Sequence, residues 1–368
     1  MPVERLSLRD FRTYERADVD IGPGLTVVTG RNGAGKTNLL EGLYFGCVGR
    51  SCRTSNEREV VRFGASVTRV EVHTRDEHGD AHTLRVGFEP GGAKKLTVDE
   101  IAVERLLDVP GRPLVGVFLP DRLELVKGAP ALRRAHLDQV VAALWPTRAA
   151  TRKEYGRALA QRNALLGRIR AGVASRASLS SWDAELARLG VALMADRAAT
   201  VDALKDRFAA RAEELGLDGD VELAYRPRSD ATEAGALAAQ LAERVDSDLE
   251  RGFTGHGPHR DDLRVSREGR ELRTYGSQGQ QRLALLALLL AEREAVGDTR
   301  GALPLMLLDD VMSELDADRR QRLVELLRAG GQSVVTTTDL AHVPAAEDPE
   351  VVRLAVANGA VLTNAKAA

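Results

Sequence analysis

Residues 25–48 read LTVVTGRNGAGKTNLLEGLYFGCV. "LTVVT" is a short β-branched run, hence a strand. "TNLLEGLYFGCV" carries apolar residues at helical spacing. Between them "GRNGAGKT", residues 30–37, fits G-x-x-x-x-G-K-T in the strand-to-helix setting that this motif requires. Glycines let backbone N–H groups turn inward around phosphate oxygens. Lys36 would reach the β- and γ-phosphates, the Thr37 hydroxyl would coordinate magnesium, and the helix N-terminus favours negative charge. Gly30, Arg31, Asn32, Gly33, Ala34, Gly35, Lys36 and Thr37, with Asn38 next in the helix, are the candidate nucleotide-binding residues.

Two further stretches carry chemistry. "LMLLDDVMSELD", residues 305–316, is an apolar strand ending in carboxylates, which would bring negative charge beside the phosphate loop. Asp309 would hold the magnesium through water. Asp310 would sit nearer the γ-phosphate, where a carboxylate can orient or deprotonate attacking water, so Lys36 and Asp310 are the candidate catalytic pair. In "YGSQGQQR", residues 275–282, Ser277 reads as the N-cap of the following helix. Gly276 and Gly279 allow close backbone approach, and such a helix start is an anion site.

The totals narrow the function classes. A chain of 368 residues has room for two or three domains. At 43% hydrophobic and 29% charged it has a soluble globular balance. The net charge of −2 gives no overall pull toward nucleic acid, so such a partner would have to meet a local patch. Two cysteines, Cys47 and Cys52, build neither a disulfide framework nor a zinc site, and predict a reducing, intracellular compartment. "MPVERLSLRD" is no signal peptide, and no apolar run reaches the ~18 residues of a membrane span.

Along the chain, residues 67–98 alternate and read as an antiparallel meander, and 114–120 as a buried strand. Residues 121–250 are rich in Ala, Leu, Arg and Glu, with apolar residues at helical spacing. Strand and turn signals return after 250. The expected architecture is an α/β unit, residues 1–120 and 251–368, interrupted by a helical lid or arm at 121–250.

The order of these parts resembles the ABC-type P-loop ATPase head, a mixed sheet with helices and an antiparallel β subdomain. "GSQGQ" is similar to the signature motif of those heads (Ser277, Gln278, Gly279), and "SELD" to their D-loop (Ser313, Asp316). Thr338 stands where many of them place a switch histidine. Asp310 stands where most have glutamate; it is one methylene shorter, which implies slow hydrolysis. In such heads two copies pack head to tail, so the resemblance aims Ser277 at ATP held by a second subunit. It also puts Arg12 near the α-phosphate and Tyr14 near the base.

Within that class, "LSLRDFRTYE", "GRNGAGKTNLLEGLYF", "LRRAHLD" (132–138), "TGHGPHRDDL" (254–263), "GSQGQQR" and "LLDDVMSELD" together resemble the RecF family of bacterial recombination and gap-repair proteins. The likeness spans nearly the whole chain. It implies a cytoplasmic protein that uses ATP and Mg2+, dimerises with ATP and binds DNA at duplex or gap ends. It further implies action with RecR and RecO in loading RecA, and a weak, DNA-stimulated ATPase that serves as a switch.

A DNA site is read from charge alone. Residues 148–170 hold Arg148, Arg152, Lys153, Arg157, Arg162, Arg168 and Arg170 against Glu154, in a chain that totals −2. Clustered cations displace counterions from a phosphate backbone. Two other classes fit the phosphate loop: a stand-alone phosphotransferase with a helical substrate lid, and a soluble transporter ATPase subunit. A serine acting in trans has no use in a monomeric kinase.

Overall fold

Alternating and continuous apolar runs sort this chain into two kinds of sheet. The computed structural model describes residues 1–109 and 112–363. In chain order the elements begin β1 (Val3–Phe11), β2 (Tyr14–Asp20), β3 (Leu25–Thr29), α1 (Lys36–Val48), β4 (Thr68–Arg75), β5 (Ala81–Phe88), β6 (Lys95–Val98), β7 (Ile101–Ala102) and β8 (Val115–Phe118). There follow α2 (Glu124–Lys127), α3 (Pro130–Leu144), α4 (Ala149–Arg170), α5 (Leu179–Glu214), β9 (Val221–Arg226), α6 (Ala234–Glu243), α7 (Val245–Arg251), β10 (Asp262–Arg267), β11 (Arg270–Glu271), α8 (Leu272–Tyr275) and α9 (Gln278–Arg300). The chain closes with β12 (Leu305–Leu308), α10 (Ala317–Arg328), β13 (Ser333–Thr337), β14 (Val352–Ala357) and β15 (Ala360–Thr363).

The chain divides into two units, Met1–Arg122 with Val296–Ala368, and Leu123–Ala295. In the first, an antiparallel sheet runs β2-β1-β4-β5-β6-β7 and a mostly parallel sheet runs β15-β14-β3-β13-β12-β8. The parallel strands β12 and β13 are buried along their whole length, as strands covered on both faces must be. β14 turns back into β15 through Asn358 and Gly359, both at positive φ, the hairpin expected of Asn-Gly. α1 is buried almost all round. It packs on β1, β4 and β5 of one sheet and on β8 and β13 of the other, so its first turn is held rigidly where β3 delivers it.

The second unit is helical, with α4 antiparallel hairpin-fashion to the 36-residue α5. It departs from expectation twice. β9, inside the stretch read as all-helical, pairs with β10 from Asp262↔Arg226 to Arg267↔Val221. That pairing draws residues 251–295 into this unit, so its boundary falls at 295 instead of the expected 250. No helix among the described residues is long and apolar enough to cross a membrane.

Buried charge fastens this unit. Arg133 is bidentate to Asp262 at 2.7 and 2.8 Å, and Arg134 donates to the Asp261 carbonyl. Asp138 accepts from Arg197, whose other nitrogen reaches the Pro258 carbonyl at 2.7 Å. Asp261 also accepts from the Tyr225 hydroxyl and the Arg228 N–H. "LRRAHLD" and "GPHRDDL" are thus two halves of one lattice. His259, unassigned from sequence, accepts from Tyr155 Oη on Nδ1 and donates from Nε2 to the Thr254 carbonyl, both at 2.8 Å. Arg260 lies over the Phe253 ring at 5.1 Å.

Arg162 overturns an expectation. Read as part of a DNA-facing patch, it is 0% exposed and donates to Asp183 at 2.6 Å and to Asp248 and Thr254 at 2.7 Å. It lies on the stripe of α4 that also buries Tyr155, Ala158, Leu165 and Leu166. An Arg162→Met variant leaves two carboxylates buried without their cation. We expect a loss of about 3–5 kcal/mol in urea unfolding; a loss under ~1 kcal/mol, typical of a surface ion pair, would contradict this placement.

Burial also sets a pH dependence. It pushes His259 down from 6.5 to about 4, so the folded state keeps this ring neutral. A depressed histidine means that the unfolded chain binds the proton first, so stability falls as pH drops from about 6.5 toward about 4. His256 is lowered by burial too. His259→Gln is therefore expected to flatten, without abolishing, the fall in unfolding midpoint across that window.

Candidate functional site

The turn between β3 and α1 is built for close backbone approach. Gly33 and Gly35 adopt φ of 78° and 116°, left-handed conformations that side chains resist. A Cβ on Gly30 would come within 2.4 Å of the Val356 carbonyl oxygen. Lys36 Nζ donates to the Gly30 and Arg31 carbonyls at 2.8 and 3.2 Å, so the ammonium lies across the loop. Arg31 and Asn32 are exposed at its rim, and Ala34 is half-buried.

Two residues expected to touch nucleotide do other work. Tyr14 is fully buried, and its hydroxyl donates to the Gly35 carbonyl at 3.0 Å. It braces the loop from below and does not face a base; burial raises its pKa and keeps the donor proton in place. Arg12 is not free for an α-phosphate. It is bidentate to the wholly buried Glu41 at 2.9 and 2.7 Å and donates to the Glu59 carbonyl. Glu41 also accepts from Arg53 and Ser51. Asn38 spans Thr13 and Arg53 at 3.1 and 3.0 Å. These groups clamp the β1–β2 turn to the first turns of α1.

The acidic strand meets the loop. Thr37 Oγ1 donates to Asp309 Oδ2 at 2.8 Å. Thr336 Oγ1 donates to Asp309 Oδ1 at 2.7 Å and accepts from the Asp310 N–H at 2.9 Å. A hydroxyl and a carboxylate in contact are the hard oxygen donors that magnesium takes in phosphate sites, so these residues fit that ion. Asp310 has a left-handed backbone, φ 49°, and its buried Oδ1 has no hydrogen-bond partner among the described residues. Burial pushes its carboxyl above the usual aspartate range, against the pull of Ser313 and Lys36. A carboxyl oxygen left open in this way can take a proton or a hydrogen bond from water.

The flanking positions are more modest. Ser313 Oγ donates to the Asp310 carbonyl at 2.9 Å. Asp316 caps α10 through the Arg319 N–H at 2.9 Å. Thr338 follows the end of β13 and is exposed. The threonine that reaches the carboxylates is Thr336, which no motif flagged. A signal exists in "VVTTT": polar hydroxyls at the end of an otherwise apolar parallel strand need a buried partner.

The signature turn belongs to the other unit. Ser277 Oγ accepts from the Gln280 N–H at 3.2 Å, and Gln280 Oε1 accepts from the Ser277 N–H at 2.9 Å. This is a capping box. Gln281, buried, donates to the Leu272 and Gly276 carbonyls. A Cβ on Gly276 would fall 2.7 Å from the Leu272 carbonyl oxygen. The turn is rigid, yet Ser277, Gln278 and Gly279 are exposed, and Tyr275 beside them is 70% exposed.

The basic stretch also splits. Arg148 stacks on Trp145 at 4.3 Å and pairs with Asp196, and Arg152 pairs with Asp138 at 2.8 Å. Lys153, Arg157, Arg168 and Arg170 are exposed, and Arg162 is internal.

Comparison with known proteins accords with this geometry. Residues 5–116 match the AAA domain family. A DNA replication and repair protein RecF of Acidothermus cellulolyticus is 40% identical, over 92% of this chain and 94% of its own. That of Frankia alni is 39% identical, over 98% and 99%. Among solved structures, the recombination mediator protein RecF-ATP of the RecFOR pathway superposes with a TM-score of 0.87 at 27% identity, over 99% and 98%. An SMC head bound to the C-winged helix domain of ScpA gives 0.59 at 16% identity, which speaks to fold alone. The fold is that of an SMC-like ABC-type ATPase head, and with such identity sustained along both chains the protein belongs to the RecF family of DNA replication and repair proteins.

Proposed function

We propose that the protein is an ATP-gated, DNA-binding dimer of recombinational gap repair, in which two copies enclose two ATP molecules and each lays its Ser277 turn on the γ-phosphate held by the other. The observation that carries this reading is the signature turn itself. It is stiffened by three separate devices, yet exposed, and the Gln278 and Gly279 N–H groups open a helix with no intrahelical acceptor. Such rigidity in an exposed turn suits a surface that completes another molecule's site.

In this reading the loop of residues 30–37 cradles the phosphates, with Lys36 released from its carbonyls to the β- and γ-oxygens. Thr37 and Asp309 would hold Mg2+, which supplies neutralisation of the phosphate charge. Asp310 orients and deprotonates the attacking water; its side chain, one methylene shorter than glutamate, suits a slow timer. Ser313 holds the Asp310 carbonyl, and Asp316 fixes the start of α10 behind it. DNA lies against the exposed cations of α4, chiefly Lys153 and Arg157, with Arg148 and Arg152 at the margin. Backbone contact with duplex or gapped DNA is favoured over base stacking, since few aromatics interleave. The dimer on DNA stimulates hydrolysis, acts with RecR and RecO in loading RecA in the cytoplasm, and is released when ATP is spent.

Sizing by sedimentation tests the core of this. The protein is expected to be dimeric with ATP and monomeric with ADP or no nucleotide. Ser277→Arg is expected to stay monomeric with ATP while its nucleotide affinity is unchanged; an ATP-bound dimer of this variant would contradict the reading. A Lys153→Glu, Arg157→Glu double variant should weaken DNA binding uniformly across sequences and reduce the log–log salt slope by about 2, near 0.9 per lost phosphate contact. An unchanged slope would remove α4 as the DNA face.

A further inference from the structure

Two adjacent carboxylates end β12, and one hydroxyl addresses both of them. Thr336 is wholly buried on β13. Its strand is hydrogen-bonded to β3, which carries the phosphate loop, on one side and to β12, which carries Asp309, on the other. Its hydroxyl has a single proton and spends it on Asp309 Oδ1 at 2.7 Å, which leaves a lone pair for the Asp310 N–H at 2.9 Å. With Oδ1 engaged, Oδ2 is the oxygen turned to Thr37, at 2.8 Å.

We infer that Thr336 is a positioning residue for ATP hydrolysis, fixing the orientation in which Asp309 faces Thr37 and the cation and pinning the Asp310 backbone in its left-handed conformation. This rests on the nucleotide reading above and adds to it a residue outside every recognised motif. An aspartate χ2 is a broad torsion, so a carboxylate held by one donor can tilt about it. The hydroxyl removes that freedom. Its other bond meets the main chain of Asp310 where a non-glycine residue stands at φ 49° and ψ 28°. Left-handed aspartates persist where their surroundings hold them. Thr336 therefore couples the aim of the metal-side carboxylate to the placement of the one that faces water.

Thr336→Val keeps the shape and removes both hydrogen bonds; Thr336→Ser keeps the hydroxyl. The probe is a fluorescent ATP analogue titrated in EDTA and then across a Mg2+ series, with single-turnover hydrolysis alongside. The valine variant is expected to bind the metal-free analogue as the parent does. Its Mg2+ midpoint should rise roughly 10-fold and its turnover fall roughly 10–100-fold, the range for loss of an outer-shell partner. The serine variant should restore both. A valine variant with parental Mg2+ midpoint and turnover overturns the inference. So does one that loses metal-free binding to the same degree, because that loss marks a packing role only. Should the valine protein not fold, Thr336→Ala is read by the same criteria, and a serine variant with a raised Mg2+ midpoint also overturns it. A parent chain that binds no nucleotide would remove the underlying reading as well.

Discussion

Two hydroxyls from neighbouring elements share the Asp309 carboxylate. One oxygen is held by Thr37 at the start of α1, the other by Thr336 at the end of β13. Three consecutive elements of the parallel sheet, the β3–α1 loop, β13 and β12, thereby converge on one charged group. Burial makes that convergence strict, since a buried carboxylate without donors is strongly disfavoured. The sheet order β3-β13-β12 places β13 between the loop and the acids.

Around this point the first unit spends its remaining polar residues on bracing. Tyr14 supports Gly35 from beneath, and Glu41 gathers Arg12, Arg53 and Ser51 beside the first turns of α1. A phosphate loop must keep several N–H groups aimed inward without a ligand to organise them, and these contacts hold it so. The second unit solves a comparable problem differently. Its helices are fastened by Arg133–Asp262, Arg197–Asp138 and Arg162 between Asp183 and Asp248, and β10, anchored by the first of these, leads through α8 into the signature turn. "LRRAHLD" and "GPHRDDL" are the two sides of this lattice, so their residue types answer to packing within the unit.

How much was legible in the sequence follows from how local each signal is. The turn from β3 into α1 and the strand that ends before Asp309 are fixed by a few neighbouring residues, and the structure has them where the residues indicate. The contacts of Arg12 and Tyr14 are not legible locally, because their partners lie 29 and 21 residues away, on α1 and in the loop. β9 was lost among good helix formers, since only its pairing with β10 makes it a strand. Arg162 carried its own warning: Tyr155, Ala158, Arg162, Leu165 and Leu166 share one helical face, and a cation on an apolar stripe points to a buried partner. Charge counted without that period merges it with Lys153 and Arg157, which do face solvent.

In the proposed dimer, one copy's phosphate loop and another's signature turn make a single site. Mixing two inactive variants, Lys36→Ala and Ser277→Arg, tests it most directly. In a mixed pair the Ser277→Arg copy still offers an intact phosphate loop, and the Lys36→Ala copy still offers an intact Ser277, so one complete site forms. ATP hydrolysis on DNA is predicted to appear in the mixture and in neither variant alone. A mixture as inactive as its parts would contradict the account.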